Sequence, residues 1–339
     1  MRFGPIAVRD ALGAITAHAV RHDGFTLKKG QIIGAEERAA LLSAGIASII
    51  AARLEVGDIG EDDAAARLAA RLCGANLRAG SPFTGRVNLF AQCAGLVLVD
   101  ARAVAALNSV DEAITAATLA PFERVAAGDM VATIKIIPLA APGAMLTQAL
   151  AAAGQGALSI APFRPLRLGV VSTLLPGIKP SVIAKTLRIL AARVAPAGAT
   201  LAGDLRVPHD ANDVAAALLS LAPQCDLLVI FGASAIVDRR DIIPAAIELA
   251  GGAVTHFGMP VDPGNLLLLG RLKGLSVIGA PGCARSSREN GFDWVLQRVL
   301  AGLDVASADI RAMGVGGLLK EIAARGQPRL GEEAPDPHA

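Results

Sequence analysis

At 339 residues, with 53% hydrophobic and 18% charged side chains, the chain is long enough for two domains and can bury a core in each. Its 32 basic and 30 acidic residues leave a formal charge of +2, and nine Phe, one Trp and no Tyr offer few rings for base stacking, which excludes a nucleic-acid footprint. The mean hydropathy of +0.52 does not come from a spanning segment, because no run of 18 or more apolar residues is present, and no membrane partner is expected.

Taken in chain order, residues 25–34 read as a short strand and a turn at Lys28-Lys29-Gly30. Residues 35–44 read as a helix stopped by Gly45, and 46–54 as a strand. Residues 61–72 carry charge and Ala/Leu at helical spacing, with Gly74 as the stop. Residues 96–99 and 131–137 are further strands, and 139–161 hold a helix and a Gly-rich connection. This order lacks a regular alternation, so residues 1–162 are expected to form an α+β domain.

From residue 163 the rhythm becomes regular. Residues 166–172 are a strand, and 180–194 a helix opened by Pro180, with Ile183, Leu187, Leu190 and Val194 on one face. Asp210 or Asn212 caps the next helix, which carries Val214, Leu218 and Leu221. Then follow a strand at 227–231, a helix at 242–249 closed by Gly251-Gly252, a strand near 254–257, a strand ending at Gly279 and a helix at about 290–300. The expectation is an α/β domain over 163–305, a doubly wound and mostly parallel sheet. Residues 306–339 form a C-terminal extension, expected to be frayed after Gln327. The N-terminus lacks a signal peptide and the four cysteines show no metal spacing, so reduced thiols and a cytoplasmic location are expected.

In an open α/β sheet ligands sit outside the carboxyl ends of the strands. Three loops of small residues could converge there: Gly232-Ala233-Ser234-Ala235, the segment from Met259 through Asp262, Pro263, Gly264 and Asn265, and Gly279-Ala280-Pro281-Gly282-Cys283-Ala284-Arg285-Ser286. Small residues let backbone N–H groups approach a phosphate, helped by a following helix N-terminus. Ser234, Ser286 and Ser287 could donate to phosphate oxygens, and Arg285 and Arg288 could add charge-assisted hydrogen bonds. Each residue also has a plainer reading. Gly232 and Gly282 serve tight turns, Asp241 caps a helix, Pro263-Gly264 is a turn signal, and Cys283 is a small filler rather than a thiolate. His209 and His256 show no partner and read as structural.

These loops, in this order, resemble the molybdopterin-binding domain of molybdenum-cofactor biosynthesis proteins. Gly232-Ala233-Ser234-Ala235 stands where that family has a glycine loop, and Arg240-Asp241-Ile242-Ile243-Pro244 is similar to its Arg-Asp-x-Thr-Pro run. The loop ending in Asn265 resembles a Pro-Gly loop of the molybdenum-inserting transferases, and 279–284 their Gly-Leu-Pro-Gly-Asn-Pro loop. The run to Arg298, with Asp58-Ile59-Gly60-Glu61-Asp62 and the glycine-rich segment 313–319, is similar to regions associated with bacterial molybdenum cofactor cytidylyltransferases.

The resemblance implies a ligand, molybdopterin or the molybdenum cofactor, and either a transferase of cofactor biosynthesis or a non-catalytic carrier or regulatory module serving a separate nucleotidyltransferase or molybdoenzyme. It implies self-association as well. In the transferase reading Asp238, Asp241 or Asp262 would position Mg²⁺ or molybdate; in either reading the three loops hold the pterin phosphate. Asn265 replaces the lysine of the inserting enzymes, and two central glycines have become alanines, which favours binding over catalysis. Asp241→Asn and Gly232→Val are expected to weaken binding without unfolding the protein.

Overall fold

The computed structural model describes residues 1–22 and 24–319, and the chain divides into two compact units, Met1–Pro162 and Phe163–Ala339. The expected fraying after Gln327 lies outside the described residues. No helix among the described residues is long and apolar enough to cross a membrane.

In the first unit, helices alternate irregularly with antiparallel strands. Helix Glu61–Leu72 opens on Glu61, Asp62 and Asp63, whose charges suit the positive end of its dipole. Ala64, Ala65, Leu68, Ala69 and Leu72 recur at three- and four-residue steps and enter the core. There they meet Val87, Leu89 and Ala91, alternate residues of strand Arg86–Ala91, in a sheet that also holds Met130–Ile136, Ile114–Thr118 and Leu77–Ala79. A separate small core gathers Val8, Ala11, Leu27, Ile33, Leu41 and Ala51.

The second unit is a mixed α/β structure around a six-stranded, mainly parallel sheet. Its strands are β1 (Arg167–Leu174), β2 (Thr200–Pro208), β3 (Leu227–Phe231), β4 (Ala253–Phe257), β5 (Leu268–Leu272) and β6 (Leu275–Ala280). Its helices are α1 (Pro180–Val194), α2 (Ala211–Leu221), α3 (Ile242–Leu249), α4 (Gly291–Leu300) and the short α5 (Ser307–Ala312). The spatial order is β2-β1-β3-β6-β5-β4, with β2, β1, β3 and β6 parallel and β5 antiparallel to both neighbours.

Strand β3 is buried at every position, as its uninterrupted apolar run predicts. Leu227, Val229 and Phe231 point to a core shared with Leu190 and Val194 of α1 and Val295, Leu296 and Val299 of α4. Leu228 and Ile230 point the other way, to Val214 and Leu218 of α2 and Ile243 and Ile247 of α3. Ile310 and Met313, beyond residue 305, join the α1/α4 core.

Two strands are additional to the sequence reading. Edge strand β2 is half-exposed and carries Asp204 and Arg206, so its alternation is masked by charge. Strand β5 lies inside a longer apolar run, and its reversal places the loop before it beside the end of β6, where Leu268 faces Gly279. That reversal brings residues 258–267 to the same sheet edge as the loops that follow β3 and β6.

Candidate functional site at the carboxyl edge of the sheet

The loop after β3 begins with Gly232, where a Cβ would meet the Ser234 carbonyl oxygen at 2.7 Å and Ile243 Cδ1 at 2.8 Å. Glycine is therefore favoured by the turn itself, and Gly232→Val is expected to disturb local packing as well as binding. Ala233 donates its N–H to Thr173 Oγ1 at 2.6 Å, and exposed Ser234 places Oγ 3.0 Å from His209 Nε2. Asp241 caps α3, accepting from Ile242 N at 2.7 Å and, through its other oxygen, from Val237 N at 3.1 Å. Asp238 accepts from Arg240 Nε at 2.8 Å in an exposed ion pair, and that pairing holds its carboxyl below the ordinary range.

The loop before β5 is braced from two sides. Gly291, at the start of α4, donates to the Pro263 carbonyl at 2.8 Å. Asp262 exchanges backbone hydrogen bonds with the C-terminal segment, donating to Gly317 O at 2.8 Å while its own carbonyl accepts from Leu319 N at 3.0 Å. Asn265 closes the loop on Met259, whose N–H donates to Asn265 O at 2.9 Å. Gly264 has φ +145°, and a Cβ there would lie 2.8 Å from Gly291 N and 2.9 Å from its Cα. Gly264→Ala is expected to cost about 1–3 kcal/mol through this backbone collision. Urea unfolding followed by the fluorescence of Trp294 measures it; an unchanged midpoint would contradict the packing described.

The loop after β6 turns at Pro281 into a short 3-10 helix, Gly282–Arg285. A Cβ at Gly282 would meet nothing within 4 Å, so packing does not demand glycine there and the surface above it is open. Cys283 is half-buried, and burial pushes its thiol up from the ordinary value. A raised value leaves the thiol protonated at neutral pH. Alkylation of Cys283 by iodoacetamide at pH 7 is expected to be slower in the native than in the unfolded protein; fast native labelling would indicate a thiolate. Ser286 Oγ accepts from Arg288 N at 3.3 Å.

Two arginines shape this loop. Arg193, on α1, donates to Asp293 Oδ1 at 2.6 Å and to the carbonyls of Ala284, Ser286 and Arg288 at 2.6, 2.5 and 2.9 Å. Arg285 reaches back toward β3, donating to Gly232 O at 2.9 Å and to Thr186 Oγ1 at 3.0 Å, with its guanidinium 5.3 Å from the centre of the Phe231 ring. It ties the first and third loops together. Burial pushes its pKa down, and no acidic side chain pairs with it among the described residues.

Arg193, Thr173, Thr186 and His209 are absent from the sequence-derived site; each lies far along the chain from the loop it holds. Among the described residues no group of three His, Cys, Asp or Glu side chains is placed to hold a metal ion. His256 hydrogen-bonds Ser307 across 2.6 Å through Nδ1.

A family model described as a domain of unknown function (DUF8806) matches residues 5–53. No curated protein matches the chain. Among solved structures the chain is similar to the molybdopterin biosynthesis MoeA protein from Pyrococcus horikoshii, with 16% identity over 89% of this chain and 75% of that one and a TM-score of 0.30. A molybdenum cofactor biosynthesis protein from Pyrococcus furiosus is 13% identical over 90% of this chain and 65% of that one, with a TM-score of 0.25. The molybdopterin biosynthesis enzyme MoaB from Thermus thermophilus is 15% identical over 40% of this chain and 97% of that one, with a TM-score of 0.28. Alignments at these scores carry nothing about ligand or activity.

Proposed function

We propose that the carboxyl-edge loops of the second unit bind molybdopterin, or the molybdenum cofactor made from it, through its terminal phosphate during cofactor biosynthesis. The observation that carries this reading is Arg285, a half-buried guanidinium with no carboxylate beside it among the described residues. A charge partly removed from water is raised in free energy unless an opposite charge meets it. Two of its N–H groups are used on Gly232 O and Thr186 Oγ1, and a guanidinium carries five, which suits a phosphate. The open surface over Gly282 leaves room for an approaching oxygen. The parallel strands β2, β1, β3 and β6 run toward this edge, and in open α/β sheets ligands sit outside the carboxyl ends of such strands, which supports the same placement. The order and content of the three loops supply the pterin, by resemblance to the molybdopterin-binding domain.

Two roles remain for such a site, a transferase and a carrier that presents the cofactor to a separate nucleotidyltransferase. The carrier is favoured by the employment of the carboxylates: Asp241 spends both oxygens on backbone N–H groups and Asp238 is paired with Arg240. Those two do not offer the free oxygen set that Mg²⁺ needs, so no step is assigned to that ion. Fluorescence titration of the purified protein with molybdopterin, with AMP and CTP in parallel, tests the reading. Saturable binding of the pterin is expected; binding of the nucleotides alone, or of neither, would overturn it. Incubating the complex with ATP or CTP and Mg²⁺ then separates the roles, and a new product would favour the transferase.

A further inference from the structure

Thr173, at the end of β1, His209, just beyond β2, and Ser234, after β3, form one hydrogen-bonded chain. Ala233 N–H donates to Thr173 Oγ1 at 2.6 Å, Thr173 Oγ1 lies 2.8 Å from His209 Nδ1, and His209 Nε2 lies 3.0 Å from Ser234 Oγ. Burial falls along it: Thr173 is 2% exposed, His209 is half-buried and Ser234 is open to solvent.

Counting protons sets its direction. The amide of Ala233 can only donate, so Thr173 Oγ1 accepts there and retains its single proton to donate. Among the described residues the acceptor within reach of that proton is His209 Nδ1. An Nδ1 that accepts leaves the proton of the neutral ring on Nε2, and Nε2–H then donates to Ser234 Oγ. The Ser234 proton is thereby turned away from the imidazole, on a side chain open to solvent.

We propose that Thr173 and His209 are positioning residues that hold the Ser234 hydroxyl as an outward donor for a ligand oxyanion, a phosphate or carboxylate oxygen. The opposite direction, in which Ser234 donates to Nε2, is what a nucleophilic serine requires. It would leave the buried Thr173 proton without an acceptor among the described residues, which disfavours it. The geometry therefore separates this trio from a hydrolytic triad. The inference rests on the placement of an anionic ligand over these loops proposed above, and it adds the residues that orient its donor.

Long-range ¹H–¹⁵N correlation of the His209 ring in the ligand-free protein, at a pH where the imidazole is neutral, tests the direction without any substitution. The Nε2–H tautomer is expected; the Nδ1–H tautomer would overturn the proposal, even if molybdopterin binds. Inorganic pyrophosphate then serves as the oxyanion probe in calorimetry. Ser234→Ala and His209→Leu should each weaken it roughly tenfold, while His209→Gln, which can keep an N–H donor near the Nε2 position, should stay within about threefold. Equal affinity in wild type, Ser234→Ala and His209→Leu would also overturn it. Pyrophosphate binding that depends on Ser234, without molybdopterin binding, would leave this assignment standing and remove the pterin reading instead.

Discussion

Replacing Arg193 by leucine is expected to remove about 3–5 kcal/mol of stability from the second unit, the usual cost of breaking a buried ion pair by deleting one member. The side chains of Arg193 and Asp293 are 9% and 10% exposed, so the remaining carboxylate cannot recover full hydration. Three carbonyls, those of Ala284, Ser286 and Arg288, lose a donor in the same step. Asp293 also accepts from Asn290 N at 2.9 Å, within the cap of α4, so the loss spreads to that helix start. Trp294, the single tryptophan, sits on α4 and reports urea unfolding there directly. A loss below about 1 kcal/mol would mean that the loop after β6 holds its shape without this brace. Arg193→Lys keeps the charge but not the branched guanidinium, and should fall between wild type and the leucine variant.

The elements that positioned this site were legible where apolar periodicity or an unbroken apolar run was strong. Residues 180–194, 227–231 and 242–249 form an element at those bounds, because Pro180, the run in β3 and the cap at Asp241 are local signals. Strand β2 escaped notice because an edge strand need bury only part of one face, and its Asp204 and Arg206 resemble a loop. In the first unit Ile114–Thr118 has Ile114 followed only by Thr and Ala, whose alternation is too weak in hydrophobicity to announce a strand.

At the site, the sequence pointed to the loops but not to what holds them. Ser234 and Arg285 could be named because they lie within small-residue turns. Thr173, Thr186, Arg193 and His209 could not, because their partners are 25 to 100 positions away and adjacency across parallel strands is invisible in one sequence. The reading of His209 as structural changes accordingly, since the structure brings it within hydrogen-bonding distance of Ser234. Asp241 shows the opposite outcome: of its two readings, the structure displays the helix cap.

Arg285 is the residue on which anion binding at these loops most depends. Its guanidinium is half-buried, lacks an acidic partner among the described residues, and bridges the loops after β3 and β6. Charge-assisted hydrogen bonds contribute about 1.5–3 kcal/mol, and each 1.4 kcal/mol is about tenfold in affinity. The measurement to make is calorimetric titration of wild type and Arg285→Ala with molybdopterin, with Trp294 unfolding run alongside to establish that both proteins are folded. A loss of roughly 10- to 100-fold in affinity is expected for the alanine variant. A folded Arg285→Ala protein that binds molybdopterin as tightly as wild type would contradict that expectation and place the anion site elsewhere.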